Sequence, residues 1–360
     1  MTRAKVAVLK TRPETVLEDY ARLMRLADFR SYLPPDRDTA LKINITWHYY
    51  YPACSTPPWQ LEGVIQTLLQ DGYKRELIHA CHNRTVVVSA KKGERENKHL
   101  PVVQKYGLRN IHLYENEPWV RFEPKSRMRV LHQIFPDGIE IPKRMIGENI
   151  IHLPTMKTHV FTTMTGAMKN AFGGLLREKR HWTHSVIHET LVDLLAIQKE
   201  IHSGVFAVMD GTIAGDGPGP RCMVPHVKNF ILASADQVAI DALSAKMMGF
   251  DPLSLDFLRL AHEDGLGCAD LREVEIVGED VSGVDFGFQK GKNTFASRGQ
   301  KMIYWGPLKP LETFLLRTVL TPWSYAASVI FHDYLWRPAI GLRRTRQALQ
   351  TGWGRLFRSY

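Results

Sequence analysis

The stretch ALKINITWHYYYPACSTPPWQLEGVIQTLLQDGYKRELIHAC, residues 40–81, decides the fold. Its opening six residues, ALKINI, read as a strand, and residues 76–81 read as another. Between them, residues 57–69 place apolar side chains at helical intervals behind Ser55, Thr56 and two prolines, which suit a first helical turn because no amide is needed there. Ahead of this unit lie the apolar run KVAVL at 5–9 and a helical pattern across 14–26, so the order is βαβαβ and a parallel sheet is expected.

The pattern continues outward on the carboxyl side. Residues 83–100 carry Lys91, Lys92, Glu94, Arg95, Glu96 and Lys98 and predict a solvated loop or helix. Apolar pieces broken by Pro, Asn and Gly across 112–141 predict strands joined by turns. Residues 150–153, 205–209 and 229–233 read as buried strands, 165–176, 185–201 and 237–248 as helices, and 253–277 as a last α/β pass. Asp236 is expected to cap the helix at 237, and Asp241 is a candidate buried polar partner. The expected architecture is α/β: a mainly parallel sheet with flanking helices, followed by a helical aromatic and basic tail.

At 44% hydrophobic and 23% charged residues, the chain can bury an ordinary core, which excludes disordered and collagen-like readings. Cys54, Cys81, Cys222 and Cys268 lie far apart without a CxxC pair, so neither a ferredoxin-type iron-sulfur cluster nor a disulfide framework is expected. The first twelve residues hold no apolar run of signal-peptide length, so the expected location is cytoplasmic, with peripheral membrane contact as the alternative.

The formal net charge is +10, and residues 308–360 supply much of it with eight basic residues against two acids. This sets residues 1–305, an α/β domain in one or two lobes, apart from an extension at 306–360. Arg317, Pro322 and Asp333 interrupt its apolar stretch, so no spanning helix is expected. Amphipathic helices that lie on the body, on a second copy or on an anionic membrane surface are expected instead. No zinc finger, helix-turn-helix or RNP motif is present, so nucleic acid is disfavoured.

The polar residues crowd into LPTMKTHVFTTMTGAMKNAFGG, residues 153–174. Lys157 and His159 follow a buried strand, and the carboxyl ends of strands line the crevice of open α/β sheets. Thr165 and Gly166 open the next helix, whose free amides favour an anion, with Lys169 and Asn170 one turn further in. Two ammonium groups beside a helix start point to a carboxylate or phosphate. Lys42 and Asn44 stand at another strand end, and Asp210 and Gly217 belong to the strand end and glycine-rich loop that complete the rim. His181, His184 and His188 are spaced three and four apart and could offer two ligands to a metal ion, yet no HExxH accompanies them. A general acid or base role for His159 or His184 is therefore preferred, no metal ligands are assigned, and the cofactor is left open.

The order LKINIT with STPP, NIIHLPTMKTH, TGAMKNAFGG, VMDG, GDGPGP and ILASADQVAIDALSAKMMGFDP resembles the family known as domain of unknown function 362, over residues 5–280. That resemblance implies no general reaction. Many members carry an appended ferredoxin module, for which this chain lacks the cysteines. The preferred reading is an enzyme on a small anionic substrate, a lyase, isomerase or transferase before an oxidoreductase. Lys157, His159 and His184 are its catalytic candidates, and Lys42, Asn44, Thr165, Lys169, Asn170, Asp210 and Gly217 bind substrate. The alternatives are a redox or metal-dependent protein and a peripheral membrane or partner-binding protein, with self-association through the tail.

Overall fold

Residues Asn149–Leu153, NIIHL, are buried at every position, as a strand covered on both faces requires. In the computed structural model, which describes residues 3–85, 87–318 and 321–360, that strand lies inside a large sheet. The strands are β1 (Ala4–Lys10), β2 (Thr39–Ile43), β3 (Ile78–His82), β4 (Arg109–His112), β5 (Trp119–Phe122), β6 (Ile139–Pro142), β7 (Asn149–Leu153), β8 (Thr155–His159), β9 (Thr163–Met164), β10 (Gly204–Asp216), β11 (Val224–Ser234) and β12 (Val274–Gly278). Ten of them form one sheet in the order β12-β1-β11-β10-β7-β2-β3-β4, with β8 paired to the far end of β10 and β9 to β8. The pairings are parallel except at β1 with β11, β10 with β11 and β8 with β9. Strands β5 and β6 form a separate antiparallel pair.

Helices cover both faces. Val16–Leu26 and Pro58–Gln70 pack on one side through Tyr20, Trp59, Leu61 and Ile65. Ile187–Ile201, Gln237–Met248 and Asp256–Glu263 pack on the other through Leu191, Leu194, Leu243 and Phe257. Asp236 accepts from the amides of Val238 and Ala239, each at 2.9 Å, and so caps its helix.

Strand β10 is longer than the run 205–209 suggests, because residues 210–216, which reach into the glycine-rich turn expected over 215–220, continue the pairing to β11 and then to β8. Gly219 lies so close to β8 that a Cβ there would meet the Thr158 carbonyl oxygen at 1.9 Å. The expected helix over 165–176 is two short turns, Ala167–Asn170 and Phe172–Leu175.

The tail is built into the body at its far end. Trp336 packs against Trp47 and Tyr51, Trp353 against Trp59, and Phe357 stacks on Tyr50 at 3.7 Å between ring centroids. The Asp333 carboxylate accepts from Trp47 Nε1 at 2.7 Å and pairs with His48 at 3.2 Å. Residues 319 and 320 of the tail, and residue 86 in the charged stretch, lie outside the described residues. Among the described residues, no helix is long and apolar enough to cross a membrane.

Candidate functional site

Three lysines lie under the carboxyl edge of the central strands. Lys157 on β8 is fully buried, and its Nζ donates to Thr46 Oγ1 at 3.1 Å and to the Cys54 carbonyl oxygen. Asn44 completes this knot: its Oδ1 accepts from Thr46 Oγ1 at 2.8 Å, and its backbone amide donates to Thr56 Oγ1 at 2.9 Å. Lys42 at the end of β2 is 3% exposed and donates to the Ile43 carbonyl at 2.6 Å. Its stem runs along Gly173 and Gly174, and a Cβ on Gly174 would stand 3.0 Å from Lys42 Cε. Lys169, partly buried, holds its Nζ 4.9 Å from the centre of the Phe172 ring. Asn170 donates from Nδ2 to the Lys42 carbonyl at 2.9 Å, tying the short helix to β2.

Among the described residues, no carboxylate forms an ion pair with Lys42, Lys157 or Lys169. Burial therefore pushes Lys42 and Lys157 down to about 8. Burial, helped by the Lys157 charge, brings Lys169 to about 7. These groups are poised to give up a proton or to gain an anionic partner.

Two imidazoles stand beside them. His159 accepts at Nδ1 from the amides of Phe161 and Thr162, at 3.1 and 3.4 Å, which leaves the proton of the neutral ring on Nε2. His184 uses Nδ1 to donate to the His181 carbonyl at 2.9 Å, which leaves its Nε2 with a free lone pair. Burial, then the Lys169 charge, holds His159 well below its ordinary value and His184 at about 3, so both rings are neutral at pH 7. Phe161 bridges the two rings at 5.7 and 5.6 Å, and Tyr304 stacks on His184 at 5.9 Å. Trp305 anchors this aromatic cover by donating Nε1 to the Ser185 carbonyl at 2.8 Å.

Several expectations change. The helix start at Thr165 and Gly166 is not open to a ligand: the Asp241 carboxyl accepts from the amides of Ala167 and Met168, at 2.6 and 3.0 Å. A carboxyl group of the chain itself occupies the position expected for a ligand. Thr165 Oγ1 is buried without a partner, while its amide donates to the Lys157 carbonyl at 2.9 Å. Asp210 faces the opposite helical layer, where Tyr20, Trp59 and Thr212 occupy its two oxygens at 2.7 to 3.1 Å. The cavity beside it, about 20 Å³, has room for roughly one water. Gly217 takes a positive φ of 98°, and its carbonyl accepts from Thr158 Oγ1 at 2.8 Å.

His181, His184 and His188 do not share one α-helical face, because residues Glu178–Val186 wind as a 3₁₀ helix before the α-helix begins at Ile187. His181 Nε2 turns to the Leu316 carbonyl at 3.2 Å. Among the described residues, the one set of three ligand atoms within 4.8 Å of one another comes from elsewhere: His82, Glu94 and His112. No short motif marks it, and Glu94 sits in the charged run expected to be solvated, yet it is 3% exposed.

The family model described as "Domain of unknown function (DUF362)" matches residues 39–246. That span takes in all three lysines and both imidazoles, while Tyr304 and Trp305 lie beyond it. "Thylakoid-associated protein sll1697" of Synechocystis sp. is 26% identical over 125 residues, which cover 34% of this chain and 39% of that protein. No solved structure matches the chain.

Proposed function

Because the chain belongs to the DUF362 family, whose description assigns no reaction, we propose its function from the side chains: an enzyme that binds a small carboxylate or phosphate between Lys42, Lys157 and Lys169 and moves a proton with His159 and His184. The observation that carries this reading is three buried or partly buried ammonium groups without a carboxylate partner among the described residues. Such an arrangement is costly in a folded protein unless an anion joins it.

The imidazoles have complementary tautomers. His184 presents a bare Nε2 as the base, and His159 carries Nε2–H as the donor. The ammonium groups would stabilise negative charge that develops on the substrate, as in an enolate or a tetrahedral species. Entry requires the loop that carries Thr46 and Cys54 to yield its hold on Lys157, exchanging a carbonyl and a hydroxyl for the anion. Asn44, Asn170 and Thr165 hold the frame of this pocket, and Asp210 and Gly217 support it from outside.

The test is a thermal-shift and calorimetric screen of small carboxylates and phosphates across pH. Lysines that titrate near 7 and 8 in the folded chain are charged below those values, so anion binding is expected to be strongest near pH 6.5 and to fall through pH 7 to 9. Screening by salt weakens exposed sites much more than buried ones, so the stabilisation should persist at moderate ionic strength. A chain that no small anion stabilises at pH 6.5 would end this reading.

A second reading, peripheral membrane contact, is favoured by the middle of the tail. Leu311, Phe314, Trp323, Ile330, Tyr334 and Leu335 are 46 to 72% exposed on successive helical segments. The relative named as thylakoid-associated fits such a surface. Each basic residue near an anionic bilayer contributes about 1 kcal/mol, so apolar insertion must supplement charge. The intact chain is expected to float with anionic liposomes and to lose this when Phe314, Trp323 and Leu335 are all changed to serine. If the intact chain stays in the soluble fraction, the tail serves only the fold.

A further inference from the structure

We propose that His82, Glu94 and His112 form a binding site for one divalent transition-metal ion of the zinc class, held by His82 Nε2, Glu94 Oε1 and His112 Nε2.

The site is assembled by the sheet. Strands β3 and β4 are parallel neighbours whose register sets His82 directly opposite His112. Both histidines are the last residues of their strands, so the two rings stand side by side at the carboxyl edge, 4.9 Å apart and inclined by 67°. The helix Ala90–Glu96 crosses above and lowers Glu94 between them. Ser89 starts that helix by accepting from the Lys92 amide at 3.4 Å.

One carboxylate oxygen meets both rings. Glu94 Oε1 contacts His82 Nε2 and lies 2.6 Å from His112 Nε2. His112 turns its other nitrogen, Nδ1, to Glu115 Oε2 at 3.0 Å, and Lys91 holds Glu115 at 2.7 Å. A carboxylate on the far nitrogen is the arrangement that fixes a metal-binding imidazole, since it keeps the proton on Nδ1 and frees the lone pair of Nε2. Without an ion, the two Nε2 atoms can face Glu94 Oε1 only with protons between them. A metal ion takes the place of those protons, and the three ligand atoms, already within 4.8 Å of one another, shift to surround it at bonds of about 2.0–2.2 Å.

The donor set selects the metal. Two imidazoles and one carboxylate suit zinc, cobalt or nickel, whereas magnesium and calcium seek an all-oxygen shell. Three protein ligands leave a fourth tetrahedral position open. Burial closes the site around His82 and Glu94, and the His112 side chain, 14% exposed, marks the approach from solvent. Lys42 is paired in register with Cys81, the residue before His82, so the ion would stand one strand away from the lysine cluster. The proposal does not depend on that cluster or on any anion.

The experiment uses the full chain, stripped with a chelator and then titrated with Zn²⁺ or Co²⁺ alone. One equivalent of zinc per chain is expected, with visible ligand-field bands for cobalt typical of a four- or five-coordinate nitrogen and oxygen site. His112→Gln and Glu94→Gln should each weaken binding by at least about 100-fold, and Glu115→Gln, which touches only the far nitrogen, by about 10-fold. A wild-type chain that binds no stoichiometric zinc and gives no cobalt bands overturns the proposal. So does undiminished binding in folded His112→Gln. Should Glu94→Gln fail to fold, the wild-type cobalt spectrum and the His112→Gln titration decide the matter.

Discussion

Lys169→Met is expected to leave the chain folded and to weaken the binding of small anions by about 10- to 100-fold, the scale of one charged hydrogen bond lost from a shielded site. The same change should stabilise the protein without ligand. An ammonium group buried near Lys157 and Arg180 sheds its proton more readily than in the unfolded chain. Its folded value near 7 lies below the ordinary 10.5, so the unfolded state binds more protons between these limits and stability rises with pH across them. Methionine removes that slope. The variant should therefore gain on the order of 1 kcal/mol at pH 7 and below, and the gain should fade towards pH 10. Denaturant unfolding at several pH values, set beside calorimetry with the best anion of the screen, checks both halves. A variant that loses stability and keeps its affinity would make Lys169 a structural residue. Lys157→Met should lose affinity similarly, but its gain in stability is offset because the Cys54 carbonyl and Thr46 hydroxyl lose their donor.

Much of the architecture is legible along the chain because strands buried on both faces are rich in apolar residues, even where they admit Lys42 or His152. Residues 40–43, 150–153 and 205–209 announce themselves in that way, and the helix at 237–248 carries its cap at Asp236. The second half of β10 does not. Its sequence, DGTIAGD, has the glycines and acids of a turn, and only pairing with β11, the strand that follows it, and with β8, well upstream, holds it extended. The antiparallel pairing of β1 with β11 is hidden because a partner some 220 residues away leaves no local trace.

The candidate site divides along this line too. Lys157, His159, Lys169 and Asn170 are visible because they share one strand-to-helix segment. The tautomers of His159 and His184 are set by backbone groups, and the cover from Tyr304 and Trp305 arrives from beyond the family match. His82, Glu94 and His112 are spread over thirty-one residues and meet only because two strands end in register under a helix. Charge density misled there, since a run such as KKGEREN reads as solvated even when one of its acids turns inward.

Asp241→Ala is expected to be the most damaging single change near the lysine cluster. The Asp241 side chain is fully buried and receives the amides of Ala167 and Met168, the first turn of the segment that carries Lys169 and Asn170. Alanine leaves both amides buried without an acceptor, at about 1–3 kcal/mol each, so a loss of roughly 3 kcal/mol or more is expected in chemical denaturation. Anion affinity should fall with it, since Asn170 no longer holds the segment to the Lys42 carbonyl. Asp241→Asn separates the two effects, for it keeps the shape and one acceptor oxygen. Burial pushes Asp241 up to about 8, so the folded state holds a proton that the unfolded chain releases above the ordinary 3.8, and wild-type stability declines as pH rises from about 4 to 8. Asparagine cannot titrate and lacks this decline. Its deficit relative to the wild type should therefore be greatest near pH 4 and shrink towards pH 8. A deficit that does not change over that range would mean that Asp241 stays ionised in the folded chain and caps the turn as a carboxylate throughout.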